Sequence, residues 1–315
     1  MSRMKNFAIS LGMAAILYSG TALAAEPDSC KKVRFSDVGW TDITATTATA
    51  SVILKALGYE PDVQVLSVPV TYASLKAKNI DVFLGNWMPT MEADIKPYQE
   101  DKSVDTLVVN LEGAKYTLAV PTYTYDQGLK DFADIAKFKD KLDNKIYGIE
   151  AGNDGNRLIL KMIEDNQFDL NGFELVESSE AGMLSAVSKA SGSKKDVVFL
   201  GWEPHPMNTM IDMKYLTGGD DVFGPNFGGA TVSTNVRAGY ADECQNVGKF
   251  LTNLVFSLKM ENEIMGSILN DSAEPQAAAT AWLKANPDAL TPWLSGVTTF
   301  DGGDATAAVK SALGL

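Results

Sequence analysis

The stretch that decides the fold runs from residue 32 to residue 68 and reads KVRFSDVGWTDITATTATASVILKALGYEPDVQVLSV. Residues 32–36 form a short β-branched and aromatic run that is typical of a strand. Residues 43–57 carry apolar side chains that fit one face of a helix, and residues 62–68 form a second strand-like run. This succession of strand, helix and strand predicts a parallel βαβ unit.

The same alternation continues from this unit towards the C-terminus. Further strands are expected at residues 80–84, 106–111, 116–120, 145–150, 173–176 and 196–200. Helices are expected around Leu75 and at residues 132–142, 157–163 and 183–189. The pattern therefore predicts the α/β fold class with largely parallel strands.

The C-terminal part of the chain is helical. Residues 241–269 form a long amphipathic stretch, and residues 275–294 contribute one or two further helices. Because these helices follow no strands of their own, we expect them to pack back onto the first α/β unit. The chain would then leave a first lobe near Gly113 and return to it near Gly229. The prediction is two lobes, joined by two crossings with a ligand cleft between them: a discontinuous lobe 1 of residues 25–113 and 230–315, and lobe 2 of residues 114–229.

Composition and charge exclude several classes of function. The 315 residues are 45% hydrophobic and 21% charged, which is typical of a globular protein and not of a disordered chain. The formal net charge of −13 argues against nucleic-acid binding, because polyanions need a basic surface. A single histidine, His205, removes every metal motif that needs two, and no phosphate or dinucleotide loop is found. We expect neither a metal nor a cofactor.

The N-terminus reads as a secretory signal peptide. Two basic residues precede an apolar run over residues 7–18, and Ala22-Leu23-Ala24 supplies the small residues that signal peptidase prefers. The run is short compared with the roughly 20 residues that a membrane-spanning helix needs. We expect residues 1–24 to be removed near Ala24 and the mature protein to be soluble and exported.

The expected export bears on the state of the two cysteines of the chain, Cys30 and Cys244. Two cysteines in an oxidising compartment are expected to form a disulfide, whereas cytosolic ones are more often free thiols. The bridge would tie the mature N-terminus to a segment late in the chain.

Four segments each place an aromatic or polar side chain in the turn after a predicted strand. They are GWTD (39–42), GNWMP (85–89), AGNDG (151–155) and GWEPHP (201–206). Ligands of open parallel sheets bind in the crevice beyond the carboxyl ends of the strands, so these turns converge on the expected place of a site.

Three tryptophans, Trp40, Trp87 and Trp202, belong to these turns. A large aromatic side chain at the end of a sheet can also close the core, and this alternative stays open for each of them. Trp282 and Trp293 lie at apolar positions of the C-terminal helices and are expected in the core.

Asp42 and Asn153 each admit two roles. Asp42 directly precedes the helix predicted from Ile43, and Asn153 lies in the turn before the helix predicted from Arg157. The side chain of each could accept hydrogen bonds from the backbone as an N-cap. Each could also contact a ligand from its turn, and the two roles are not exclusive.

Taken in this order, the segments resemble the substrate-binding proteins of ABC transporters for quaternary ammonium compounds. The resemblance covers essentially the whole mature chain and rests on GWTD (39–42), DVFLGNWMP (81–89), GIEAG (148–152) and GWEPHPM (201–207). It implies a two-lobed periplasmic binding protein fold, type II-like, that closes on its ligand. It also implies a periplasmic location and a permease partner in the inner membrane; we expect a monomer.

The resemblance further implies an aromatic box around a trimethylammonium group. Its members would be Trp40 and Trp87 from lobe 1 and Tyr116 and Trp202 from lobe 2. Sequence alone leaves Tyr123 and Tyr125 as alternatives to Tyr116. Asp42 and Asn153 would take the hydroxyl end of the ligand.

Physical chemistry favours the same kind of ligand. A quaternary ammonium has no N–H to donate, so it is recognised by the negative faces of aromatic rings, each contributing up to about 2 kcal/mol when desolvated. The carboxylate of Asp42 would attract the charge of choline and accept its hydroxyl proton, but would repel the carboxylate of glycine betaine. We therefore expect choline, with glycine betaine or proline betaine as the alternative.

A secreted hydrolase acting on choline esters is the more distant alternative. Glu203 or His205 would then act as general base. No Gly-x-Ser-x-Gly nucleophile motif accompanies them, and a histidine between Pro204 and Pro206 is more simply a rigid turn residue. We expect a binding protein rather than an enzyme and assign no catalytic residue.

Overall fold

The computed structural model describes residues 26–315, so the predicted signal peptide over residues 1–24 lies outside the described residues. Nine strands form one sheet in this part of the chain. They are β1 (Lys32–Asp37), β2 (Glu60–Val65), β3 (Val82–Met88), β4 (Val104–Pro121), β5 (Lys145–Tyr147), β6 (Glu174–Val176), β7 (Phe199–Glu203), β8 (Met213–Tyr215) and β9 (Gly229–Arg237). The last two strands have no counterpart among the predicted ones.

Helices cover the sheet and form most of the C-terminal part. The α-helices are α1 (Thr41–Ala56), α2 (Val68–Lys76), α3 (Glu92–Glu100), α4 (Thr122–Asp126), α5 (Asp154–Glu164), α6 (Glu180–Gly192), α7 (Met207–Met210), α8 (Asp220–Phe223), α9 (Pro225–Gly228), α10 (Tyr240–Glu243), α11 (Gln245–Asn253), α12 (Leu258–Asn270), α13 (Pro275–Ala285), α14 (Leu290–Trp293) and α15 (Ala305–Leu313). Short 3₁₀ helices occupy Asp28–Cys30, Phe132–Phe138, Gln167–Asp169 and Pro287–Ala289. Within residues 26–315, no helix combines the length and the apolar character needed to cross a membrane.

The sheet has the strand order β2-β1-β3-β9-β4-β7-β5-β6, with β8 also paired to β4. Strand β1 lies parallel to β2 and β3, which confirms the predicted βαβ unit, and β5 lies parallel to β6 and β7. Between these two groups, β9 and β4 run antiparallel to their neighbours. The α/β class is confirmed, but the sheet is mixed rather than largely parallel. The local pattern of a buried strand does not reveal the direction of its partner.

Strand β4 spans both of the strands predicted at residues 106–111 and 116–120. Gly113 lies between them in a left-handed conformation (φ 77°), and in the sequence it suggests a turn. The pairing of β4 with β9 shifts register between Leu111 and Ala114, so a bulge accommodates the glycine without ending the strand. The prediction of two strands was wrong for this reason. The lobe boundaries near Gly113 and Gly229 stay a prediction.

The helical stretch predicted over residues 241–269 is divided into α10, α11 and α12. Cys244 leaves the helical conformation between α10 and α11 (φ −117°, ψ 72°). Between α11 and α12, the N–H of Phe256 donates to the carbonyl of Asn110 in β4 (2.7 Å). Helices α12, α13 and α15 pack against α1. The C-terminal helices therefore lie on the first βαβ unit.

The predicted disulfide between Cys30 and Cys244 is present, with the two Cα atoms 5.5 Å apart. Both residues are fully buried. Since Cys30 ends the short 3₁₀ helix before β1 and Cys244 is the N-cap of α11, the bridge joins the segment that precedes the first strand to the C-terminal helices.

Candidate ligand-binding site

A small buried cavity lies where β3, β4 and β7 meet the first turns of α1 and α5. All six residues predicted for the site lie in its wall, together with two that the sequence analysis missed. The wall consists of Trp40, Asp42, Trp87, Tyr116, Ile149, Asn153, Asp154 and Trp202. None of the eight is more than 5% exposed.

The register of the sheet brings three of the aromatic rings together. Tyr116 in β4 lies directly opposite Trp202 in β7, so both side chains leave the same face of the sheet, and their ring centroids are 6.3 Å apart. The ring of Trp87 in β3 lies 6.0 Å from that of Tyr116. Trp87 and Trp202 thus lie inside strands, and placing them in turns was wrong. Strand β3 continues past its apolar run because β9 pairs with it as far as Met88.

The fourth ring comes from the start of α1. Trp40 is the N-cap residue of this helix, and its indole Nε1 donates a hydrogen bond to Oε1 of Glu150 (2.8 Å). Because the indole N–H is satisfied by this bond, the ring is held in place while its surface faces the cavity.

Tyr116 is the tyrosine that lines the cavity. Its hydroxyl donates to Oδ1 of Asn153 (3.0 Å), and burial raises the pKa of this phenol well above its usual range. Tyr123 and Tyr125 lie in α4 and are not part of the wall. A Cβ at Gly155 would lie 2.1 Å from the Tyr116 hydroxyl, so only glycine allows the ring to approach α5 this closely.

Asn153 caps a helix, as the sequence allowed, and also lines the cavity. It is the N-cap of α5, where Oδ1 accepts from the backbone N–H of Asn156 (3.0 Å), and it lies in the cavity wall. Its Nδ2 donates to Oδ1 of Asp154 (3.0 Å). These bonds fix the orientation of the amide.

Asp42 is not an N-cap, because α1 begins at Thr41, two residues earlier than predicted, and Trp40 occupies the N-cap position. Its Oδ2 instead accepts a hydrogen bond from the indole Nε1 of Trp87 (3.1 Å). Its Oδ1 is buried and has no hydrogen-bond partner among residues 26–315. Burial and the nearby negative charge of Glu180 raise the pKa of Asp42 to about 8.

Asp154 is the main residue that sequence reasoning missed. It is fully buried, and burial raises the pKa of its carboxyl to about 7. Its position in the first turn of α5 suggests only a favourable interaction with the helix dipole, which does not require burial. The signal that was available is that it follows Asn153 directly within one of the four quoted segments.

The two residues proposed for the hydrolase alternative lie outside the cavity wall. Glu203 is partly exposed, with its carboxylate 3.7 Å from Nζ of Lys115. His205 is buried, and its Nε2 lies 3.1 Å from Oε1 of Glu180. Of the two tryptophans assigned to the core, Trp293 is buried, whereas Trp282 is only partly buried.

The wall of the cavity contains no basic side chain. Arg157, the one basic residue near the four segments, hydrogen bonds to the carbonyl of Thr90 and to the carboxylate of Asp94 instead. Four aromatic rings, two buried carboxyl groups and one amide therefore form the polar and π surface of the cavity. Such a wall in a mixed α/β fold defines a binding protein for a small organic molecule.

Comparison with known proteins identifies the family. Residues 31–285 match the family described as the substrate-binding domain of ABC-type glycine betaine transport systems, and the chain belongs to it. It is 57% identical over 138 residues to an uncharacterized protein, ORF1, of Chromohalobacter salexigens. The matched residues are 44% of this chain and 87% of that protein. It is 32% identical over 163 residues to the glycine betaine/carnitine transport binding protein GbuC of Listeria monocytogenes, which covers 52% of this chain and 53% of that protein.

Solved structures agree with this assignment. An ABC-transporter choline binding protein in complex with choline is 70% identical, with a TM-score of 0.91, over 91% of this chain and 100% of that chain. An ABC-transporter choline binding protein in an unliganded semi-closed conformation, also 70% identical over the same shares, gives a TM-score of 0.85. Lactococcal OpuAC, closed on glycine betaine, is 26% identical with a TM-score of 0.76, over 84% of this chain and 99% of that chain.

These similarities decide three questions that the sequence left open. The fold is the two-lobed binding-protein fold of ABC importers. The protein is an extracytoplasmic substrate-binding component, a role that implies a permease partner. It is a binding protein and not an enzyme, so the hydrolase alternative is not supported.

Proposed function

We propose that this protein captures choline in the cavity and delivers it to the permease of an ABC importer. The observation that carries the proposal is the composition of the wall: four buried aromatic rings and two buried carboxyl groups, with no basic side chain. A trimethylammonium group cannot donate a hydrogen bond, so ring faces are its natural partners. Four desolvated contacts of up to about 2 kcal/mol each can supply the roughly 8 kcal/mol of micromolar binding.

The hydroxyl end of choline would lie against the polar part of the wall. Oδ1 of Asp42 is buried without a partner among the described residues and can accept a hydrogen bond from the choline hydroxyl. Asn153 lies in the same wall. We assign cation contacts to Trp40, Trp87, Tyr116 and Trp202 and hydroxyl contacts to Asp42 and Asn153, with Asp154 as a second acidic group.

Glycine betaine is the second candidate, because the family and the relative GbuC carry that ligand in their descriptions. Its carboxylate would lie beside Asp42 and Asp154 in a low-dielectric cavity without a basic partner. Where these acids are ionised, the repulsion costs several kcal/mol; where they are protonated, the ligand carboxylate still has no cation to pair with. The proposed function is therefore preferential capture of choline.

The proposal includes the organisation of the mature protein. Lobe 1 (residues 25–113 and 230–315) contributes Trp40, Asp42 and Trp87, and lobe 2 (residues 114–229) contributes the other residues of the site. The protein acts as a periplasmic monomer after cleavage near Ala24. Similarity to the choline complex (TM-score 0.91), greater than to the semi-closed form (0.85), supports a closed arrangement of the two lobes.

Titration calorimetry of the mature protein with choline, glycine betaine, proline betaine and acetylcholine tests the proposed function. We expect micromolar or tighter binding of choline and at least tenfold weaker binding of glycine betaine. Glycine betaine bound as tightly as choline would refute the preference. Mass spectrometry of the exported protein, together with its elution volume, tests the cleavage site and the monomeric state.

A further inference from the structure

Glu180 lies outside the cavity wall, but it contacts Thr41, the residue between the wall residues Trp40 and Asp42. It is 5% exposed and lies in the first turn of α6. Its Oε2 accepts a hydrogen bond from the backbone N–H of Thr41 (2.9 Å), and its Oε1 accepts one from the Thr41 hydroxyl. Thr41 stands between Trp40 and Asp42 in the chain, so Glu180 holds the start of α1 at the cavity.

The same carboxylate also contacts the turn after Trp202. Nε2 of His205 lies 3.1 Å from Oε1 of Glu180, and Nδ1 of His205 accepts from the N–H of Met207 (2.9 Å). Because Nδ1 is an acceptor, the proton of the neutral imidazole is on Nε2 and is donated to Glu180. The imidazole packs edge-on against the Trp202 indole, with centroids 4.9 Å apart.

The start of α1 needs such an acceptor from elsewhere in the chain. Its N-cap residue, Trp40, has no side-chain oxygen, so it cannot satisfy the free N–H groups of the first turn. The carboxylate of Glu180 accepts the N–H of Thr41 and lies at the positive end of the helix dipole. Hydrogen bonds to a buried ionised group are stronger than neutral ones, so this contact is a substantial one.

We propose that Glu180 is a positioning residue that holds the cleft closed around the ligand by joining the start of α1 to the turn after Trp202. This inference rests on the proposed function, because it uses the division into lobe 1 and lobe 2 proposed there. Thr41 belongs to lobe 1, whereas Glu180 and His205 belong to lobe 2. When the lobes part, both bonds between Thr41 and Glu180 break, and the ligand is free to leave. Glu180 therefore acts on the dissociation rate without touching the ligand.

Stopped-flow tryptophan fluorescence with choline measures this effect. Glu180→Gln and Thr41→Val should each raise the dissociation rate about tenfold or more, while the association rate changes less than about threefold. Thr41→Ser keeps the hydroxyl, so its dissociation rate should equal that of the wild-type protein. The double variant should fall short of the product of the single effects, because both changes remove the same contact.

Thr44→Val is the matched control. Thr44 lies one turn further along α1, and its hydroxyl donates to Oδ2 of Asp37 in β1 (2.7 Å), within lobe 1. Its removal should lower stability but leave the dissociation rate of choline unchanged. Dissociation rates of Glu180→Gln and Thr41→Val equal to that of Thr44→Val would overturn the proposed latch.

The two proposals fail in different ways. A wild-type protein that binds glycine betaine but not choline contradicts the proposed function, and the same rates measured with glycine betaine then test the latch. Tight choline binding with unchanged rates in the Glu180 and Thr41 variants contradicts the latch alone.

Discussion

The ring of Trp202 packs edge-on with those of Tyr116 and His205 and lines the cavity. Replacing it by alanine removes one π face from a desolvated site, at a cost of about 2 kcal/mol. We expect the dissociation constant for choline to rise about 30-fold, measured by calorimetry. Trp282→Ala, in a partly buried tryptophan outside the cavity wall, should leave it unchanged. An unaltered constant for Trp202→Ala would remove this residue from the site.

The raised pKa of Asp42, about 8, makes choline binding depend on pH. A bound quaternary ammonium favours the ionised carboxylate, so below pH 8 binding must expel a proton. Affinity should therefore rise with pH by up to tenfold per unit and level off above pH 8. Calorimetry in buffers of different ionisation enthalpy counts the released protons.

Asp42→Asn is the matched variant for this pH dependence. In this variant the affinity for choline should no longer change between pH 7 and 8. A smaller change in affinity should remain below pH 7, where Asp154, with a pKa of about 7, takes up its proton. A wild-type affinity that is constant from pH 6 to 9 would contradict the role of Asp42.

At single residues, the sequence was informative where a side chain is unusual for its place. Three tryptophans near strand ends and an Asp and an Asn before helices stood out from the pattern, and all five lie in the cavity wall. Ile149 and Asp154 did not, because an apolar residue after a strand and an acid in a first helical turn are ordinary. Their burial beside the cavity depends on how β4 and α5 meet.

The disulfide leads to a prediction at the level of elements, since it connects the 3₁₀ helix before β1 to the N-cap of α11. Closing a loop of 214 positions gives an upper figure of about 5 kcal/mol in the chain-entropy account. Replacing both cysteines by serine should lower the free energy of unfolding by about 2–5 kcal/mol, measured in urea, with little effect on choline affinity.

Reductant provides the control for the disulfide. It should destabilise the wild-type protein and leave the Cys30→Ser/Cys244→Ser variant unchanged. Two reactive thiols in the native protein without reductant, or an unfolding free energy that the double change does not alter, would contradict the predicted stabilisation.

Elements were predicted well where their pattern is local and poorly where distant contacts divide or extend them. The β1-α1-β2 unit follows from its own hydrophobic spacing. Strand β4 continues through Gly113 only because β9 pairs on both sides of a bulge. The helical stretch 241–269 is interrupted because Cys244 is drawn to Cys30 and Phe256 bonds to β4.

Closure of the whole molecule can be tested by small-angle X-ray scattering. All eight wall residues are buried, so a ligand reaches the cavity only when the lobes separate. We expect choline to shift the population towards the closed form, with a radius of gyration near the roughly 19 Å of a compact chain of this length. An unchanged radius at saturating choline, in a sample shown by calorimetry to be loaded, would contradict closure.

The sequence by itself determined the α/β class, the paired cysteines and the three tryptophans that line the cavity, because hydrophobic period, residue type and compartment are properties of the chain. Only the tertiary structure decided that Tyr116 rather than Tyr123 or Tyr125 faces the cavity, that Asp154 and Ile149 complete the wall, and that Asp42 is bound by Trp87 instead of capping a helix. These outcomes depend on the register of β4 with β7 and on burial. Both arise from contacts between residues that are far apart in the chain, and no local pattern encodes them.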